Sequence, residues 1–210
     1  MKIKRNQTVG EEIGNAVTHG VAFFLAIVAL IFLLIKAEST VEYVSMAIFG
    51  MGLMLVYANS CLYHCFRPDT KVKALWKRFD HASIYLLITS TYTPFLLIAM
   101  GGPLGVSVFV VQWSLTLIGI TCKCIWPKKY HPLHVVLFLA LGWSGVFYMS
   151  IIARESGTLV LLTILGGVMY SAGVAFYALS RRKKYFHFIW HFFVIMGSLL
   201  HFLAIYNFIL

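Results

Sequence analysis

The sequence predicts an all-α membrane protein, a bundle of seven transmembrane helices with its amino terminus in the cytoplasm and its carboxyl terminus outside. Three observations predict it. Of 210 residues 60% are hydrophobic and 11% charged, whereas soluble domains carry roughly 25% charged residues. Six stretches contain no Asp, Glu, Lys or Arg, and the cations between them fall almost wholly on alternate connections. The longest interval between apolar runs, from Cys65 to Asp80, is too short for a soluble domain, so residues 1–210 read as one integral membrane domain.

The charge-free runs cover residues 13–35, 43–66, 81–122, 130–153, 156–180 and 185–210. A spanning helix needs about 20 apolar residues. The third run is therefore two helices, divided by the turn residues Gly101, Gly102 and Pro103. The predicted helices occupy residues 13–35, 43–66, 81–100, 104–122, 133–153, 158–180 and 187–210. Their length and continuous apolarity exclude a barrel, whose strands are short and alternating. The first run is also longer than the apolar segment of a signal peptide.

Orientation follows from the cations. Lys2, Lys4 and Arg5 precede the first helix; Arg67, Lys71, Lys73, Lys77 and Arg78 fall in the second connection; Lys123, Lys128 and Lys129 in the fourth; Arg181, Arg182, Lys183 and Lys184 in the sixth. Those fifteen oppose Lys36 and Arg154 on the other side. The asymmetry places the amino terminus in the cytoplasm. It also accounts for the net charge of +10 without nucleic acid as a partner.

Polar groups inside a bilayer are costly and mark function by default. Here they gather in the cytoplasmic leaflet: Glu12, Asn15 and His19 on the first helix, Ser60 and His64 on the second, Asp80 and His81 opening the third, His187 and His191 on the seventh. At 3.6 residues per turn the sets on the first, second and seventh helices each share a helix face. The i, i+4 spacing of His187 and His191 lets two imidazoles grip one metal ion. A third histidine from the second helix completes a site with an open position, the pattern of catalytic zinc. For Asp80 the spacing also allows an interfacial pairing with Arg78 or Lys77. His201 shares the His187 face but lies about 15 Å beyond His191, too far to share the ion. His131 and His134 flank Pro132 at a helix start and read as interfacial rather than ligating. Cys61, Cys65, Cys122 and Cys124 fall at cytoplasmic helix ends, where thiols stay reduced, and only Cys61 and Cys65 flank a candidate ligand. Gly50, Gly52, Gly166, Gly167 and Gly173 read as sites of close helix approach.

Glu12-x-x-Asn15-x-x-Thr18-His19-Gly20, Ser60-x-x-Tyr63-His64, Asp80-His81-x-x-Ile84-Tyr85 running to Thr91-Tyr92-Thr93-Pro94-Phe95, and His187-x-x-x-His191 with His201 together resemble the hemolysin III branch of the progestin and adiponectin receptor family. The resemblance spans nearly the whole chain. It implies a zinc ion near the cytoplasmic face held by His64, His187 and His191, with Asp80 reaching the metal through water and Ser60 nearby. Glu12, Asn15, His19, His81 and His201 are then supporting polar residues. It further implies a bacterial inner-membrane protein and a grouping with metal-dependent lipid amidases linked to membrane lipid homeostasis. The chain lacks the long amino-terminal extension of the animal receptors.

Three functions follow for comparison. The leading one is a zinc hydrolase of a lipid amide or ester, in which Asp80 supplies the base that the space between His187 and His191, filled by Phe188, Ile189 and Trp190, does not. Ser60 steadies an oxyanion or orients Asp80. The second is a lipid or fluidity sensor with structural zinc. The third is a pore, which needs a polar path through both leaflets; the outer halves of the first two helices offer almost no hydrogen-bonding side chains.

Overall fold

A computed structural model describes residues 6–126, 131–154, 156–180 and 182–210, apart from the side chain of His131. The expectations placed on Lys2, Lys4, Arg5, Lys128, Lys129, Arg181 and the His131 imidazole lie outside the described residues. The described chain is helical without a strand, and seven helices are long and apolar enough to cross a membrane. They are α1 (Val9–Lys36), α2 (Thr40–Cys65), α3 (Lys71–Pro94), α4 (Gly102–Ile125), α5 (His131–Trp143), α6 (Gly157–Leu179) and α7 (Phe186–Phe208).

Local chemistry sets the ends. Thr8 caps α1 and Ser39 caps α2, each in a capping box with the glutamate three residues on, Glu11 and Glu42. Thr70 caps α3, accepting from the Lys73 amide, just after Asp69 in a left-handed conformation. This start puts Lys71, Lys73, Lys77 and Arg78 inside a helix rather than in a connection. A charge-free run marks the apolar interior of a helix, not the amphipathic turns that extend it toward the membrane surface. At the other end of α3, Pro94 cannot continue the α-type ladder, and the helix widens into a π turn, Phe95–Met100. Gly101 and Gly102, at φ 60° and 58°, then reverse the chain into α4. α5 is similarly irregular, passing through a 3₁₀ segment, Ser144–Tyr148, before a last turn, Met149–Ile152.

Packing is uneven. α1 lies against α2, α2 against α3, α6 against α7, and α7 closes back on α1. More than half of α3's apolar stretch is buried, but less than a fifth of α5's or α6's. Leu33, Met46, Phe49, Leu53, Phe95, Leu96 and Ile205 form the apolar core of the tight side, while Val21, Phe24, Leu25, Ile31 and Ile35 of α1 face outward as a lipid-contacting surface should. Without a hydrophobic force between helices in lipid, small residues allow close approach. A Cβ at Gly50 would overlap Leu30, one at Gly52 would overlap Ser90, one at Gly166 His201, and one at Gly173 Trp190, whereas Gly167 makes ordinary contact with Trp143.

Candidate metal centre

α2 and α7 bring three imidazoles together. His64, His187 and His191 are all buried, and one nitrogen from each lies within 4.8 Å of the other two. Ring centroids are 4.9 Å apart for His187 and His191, 5.0 Å for His64 and His187, and 5.2 Å for His64 and His191. Among the described residues this is the one group of three or more His, Cys, Asp or Glu side chains close enough to hold an ion. Cys61 and Cys65 do not join it.

The donor set fits a metal. His64 Nδ1 lies 2.7 Å from Glu12 Oε2, so Nδ1 carries the proton it donates to the carboxylate and the lone pair falls on Nε2. That Nε2 is buried and finds no hydrogen-bond partner in the protein. A buried, unpaired acceptor is costly unless something outside the chain meets it. Glu12 is fixed in turn: Lys73 Nζ lies 2.9 Å from its Oε1, and the same ammonium donates to the Tyr63 and Phe66 carbonyls at 3.1 and 3.0 Å. Lys73 also lies 4.6 Å from the Tyr63 ring centroid. The positive-inside tally treats Lys73 as one topology cation among fifteen; the structure makes it the far end of a Lys73–Glu12–His64 relay. Its capacity to carry both roles shows only in the fold, because Glu12 and His64 are 52 residues apart.

The other candidates separate. Asp80 lies beside Ser60 and within the field of His64, and His81 Nε2 is 3.8 Å from Asp80 Oδ2. Asp80, Ser60 and His81 line the same cavity as His187 and His191. His19 stacks on His191, with centroids 3.6 Å apart and planes 8° from parallel, and both its nitrogens are buried without a protein partner. Asn15 turns away toward the amino-terminal segment and donates to Gln7 Oε1 at 2.9 Å. His201 stands apart from the triad, its Nδ1 on the Gly197 carbonyl at 2.9 Å and its ring stacked on Tyr170. His134 pairs through Nδ1 with Tyr85 Oη at 2.8 Å.

From His187 and His191 of the triad an apolar cavity runs between α3, α5, α6 and α7. Its walls include Ile84, Leu87, Ile88, Phe138, Leu139, Trp143, Val146, Ile164 and Val174. A polar constellation at one end of a long apolar space can orient an amphiphile, with its head at the imidazoles and its tail in the bundle.

A model of haemolysin-III-related proteins matches residues 7–202. A hemolysin-3 homolog from Bacillus subtilis (strain 168) is 40% identical over 195 residues, 91% of each chain. Hemolysin-3 of Bacillus cereus is 35% identical over 211 residues, 99% of this chain and 95% of that one. More distantly, the human monocyte to macrophage differentiation factor is 25% identical over 206 residues, 96% of this chain and 86% of the human one.

Proposed function

Because this chain belongs to the haemolysin-III-related family of integral membrane proteins, we propose that it is a zinc-dependent hydrolase of a lipid amide or ester, with its site at the cytoplasmic face of a bacterial inner membrane. The observation that carries this reading is the state of His64: one nitrogen pinned by Glu12, the other buried, unpaired and grouped with His187 and His191 at the head of an apolar cavity. His64, His187 and His191 would hold the ion. When bound, zinc supplies a Lewis acid that polarises a carbonyl and acidifies water at neutral pH.

The chain's own residues supply the rest. Glu12 keeps the His64 imidazole in the tautomer that presents Nε2. Asp80, the one carboxylate among the described residues of the cavity wall, takes a proton from the attacking water on a carboxylate oxygen and returns it to the leaving nitrogen or oxygen. Ser60 donates through Oγ to the carbonyl oxygen as it gains charge. The apolar walls take the acyl chain and keep bulk water from the reacting carbonyl.

Metal analysis of the purified protein should find about one zinc per chain, absent when His187→Ala and His191→Ala are combined. Zinc-loaded protein should release a free acid from a labelled ceramide-like or ester probe, and Asp80→Ala should abolish release while keeping its zinc. A folded protein without zinc, or undiminished turnover in Asp80→Ala, rejects the reading. Full zinc occupancy with no product from any membrane lipid favours the sensor.

A further inference from the structure

The positive-inside tally also counts Lys123 among the cations of the fourth connection, yet the structure places it in the last turn of α4, 2% exposed, in the wall of the apolar cavity. It belongs to a buried polar stripe on α4. Gln112, Thr116, Gly119 and Lys123 succeed one another at helical spacing; Gln112 donates to Ser144 Oγ and Tyr148 Oη, and Thr116 pairs with Thr89. Gly119 makes room for the Tyr85 ring, which a Cβ there would overlap. Three of the four stripe positions thus meet the neighbouring helices. The fourth, Lys123, makes no hydrogen bond or ion pair with the described residues.

The described residues have little to offer it. Of seven carboxylates, Glu11 is held by Thr8 and the Tyr185 amide, Glu12 by His64 and Lys73, and Asp80 by its neighbours Ser60 and His81. Glu38 and Glu42 belong to the α1–α2 connection and the cap of α2, at the other end of the bundle. Asp69 precedes α3 and makes no pair with Lys123, and Glu155 lies outside the described residues. A buried ammonium without a counter-charge is expensive. Beside it are groups of the right chemistry for an anion: Lys123 and His134 line the same cavity, and with the Tyr85 hydroxyl donating to His134 Nδ1 the Nε2 of that ring carries the N–H an anion would accept. Three ammonium hydrogens and one imidazole nitrogen suit a carboxylate or phosphate head, and the adjoining walls suit its tail.

We propose that Lys123, supported by the Tyr85–His134 pair, is an anion anchor that holds the charged head of a single-chain lipid, a fatty carboxylate or a phosphate monoester, with the tail in the cavity. The anchor is separate from the histidine triad and does not depend on metal there. It would give the cavity a preference for anionic over neutral amphiphiles, which the triad's neutral imidazoles alone do not provide.

The test uses the full-length protein in phosphatidylcholine nanodiscs and measures binding of palmitate, palmitate methyl ester and lysophosphatidate, before and after removal of metal by chelation. Metal-free wild type should bind at least one of the anionic lipids about tenfold or more tightly than the ester, the range of a charge-assisted hydrogen bond. Lys123→Gln should lose that preference while ester binding is unchanged, and Lys123→Arg should keep it. Tighter binding of palmitate than lysophosphatidate identifies a carboxylate as the natural head, and the reverse a phosphate. A wild type that binds acid and ester alike once metal is removed overturns the anchor, as does a preference that survives in Lys123→Gln. Should Lys123→Gln lose ester binding as well, Lys123→Met is read by the same rule. Absence of lipid hydrolysis would leave these outcomes untouched.

Discussion

The two sides of the bundle are built differently. Where α1, α2, α3 and α7 meet, glycines bring helices into direct contact, core side chains such as Leu33, Met46, Phe49 and Leu96 are wholly excluded, and the relay from Lys73 through Glu12 fixes His64. Where α5 faces α6, the helix changes type twice, little of it is buried, and the space that remains is the cavity. The contrast teaches a division of labour. Positions able to hold a metal must be fixed to fractions of an ångström, and the three histidines that could do so sit on the close-packed side, while the loosely packed side keeps the open volume.

Substitutions should expose this difference. The largest effect is expected from Gly52→Val, which drives a branched side chain into Ser90 on α3 and should abolish recovery of folded protein, measured as a monodisperse peak in detergent. Its counterpart, Gly142→Ala on α5, meets nothing within 4 Å and should leave the yield unchanged; equal damage at the two positions would break the comparison. Glu12→Gln comes next. It leaves Lys73 without its carboxylate and loosens the tautomer of His64, and should weaken zinc binding about 10–100-fold in a chelator competition, with helicity unaltered. Tyr92→Phe removes a hydroxyl that donates to the Gly142 carbonyl and accepts from the Gly145 amide at the irregular part of α5. It should cost about 1–2 kcal/mol in reversible unfolding without altering zinc content. The smallest effect on stability, under about 1 kcal/mol, is expected for Leu139→Trp, which fills empty space rather than displacing packed atoms. Bound acyl probe should nevertheless fall several-fold.

The helical class and the number of spans were legible because bilayer thickness sets run length, and that is a property of consecutive residues. The gathering of His64, His187 and His191 was legible in part, since helical spacing and alternating direction fix both face and depth. What escaped was pairing across helices. Asn15 shares a face with Glu12, yet one turns to Gln7 and the other to His64. Lys73 and Lys123 look like any other membrane-flanking cations in sequence, and only the depth at which their helices begin and end makes them buried. Glu11 was missed for a related reason: one turn from a cap it reads as ordinary capping chemistry, but its second oxygen is spent elsewhere. The breaks in α5 carry no clear sequence mark beyond Gly142 and Gly145, because a 3₁₀ segment differs from an α-helix by less than hydropathy resolves.

That second oxygen of Glu11 accepts the Tyr185 amide at 2.7 Å. Tyr185, in a left-handed conformation, opens α7, so one carboxylate both caps the first helix and supplies the negative charge favoured at the amino end of the last. The clasp joins two helices whose contacting residues are 174 positions apart in the sequence. His64 comes from α2 and His187 and His191 from α7, so the contact that draws the start of α7 onto α1 also bears on how closely the three imidazoles can gather.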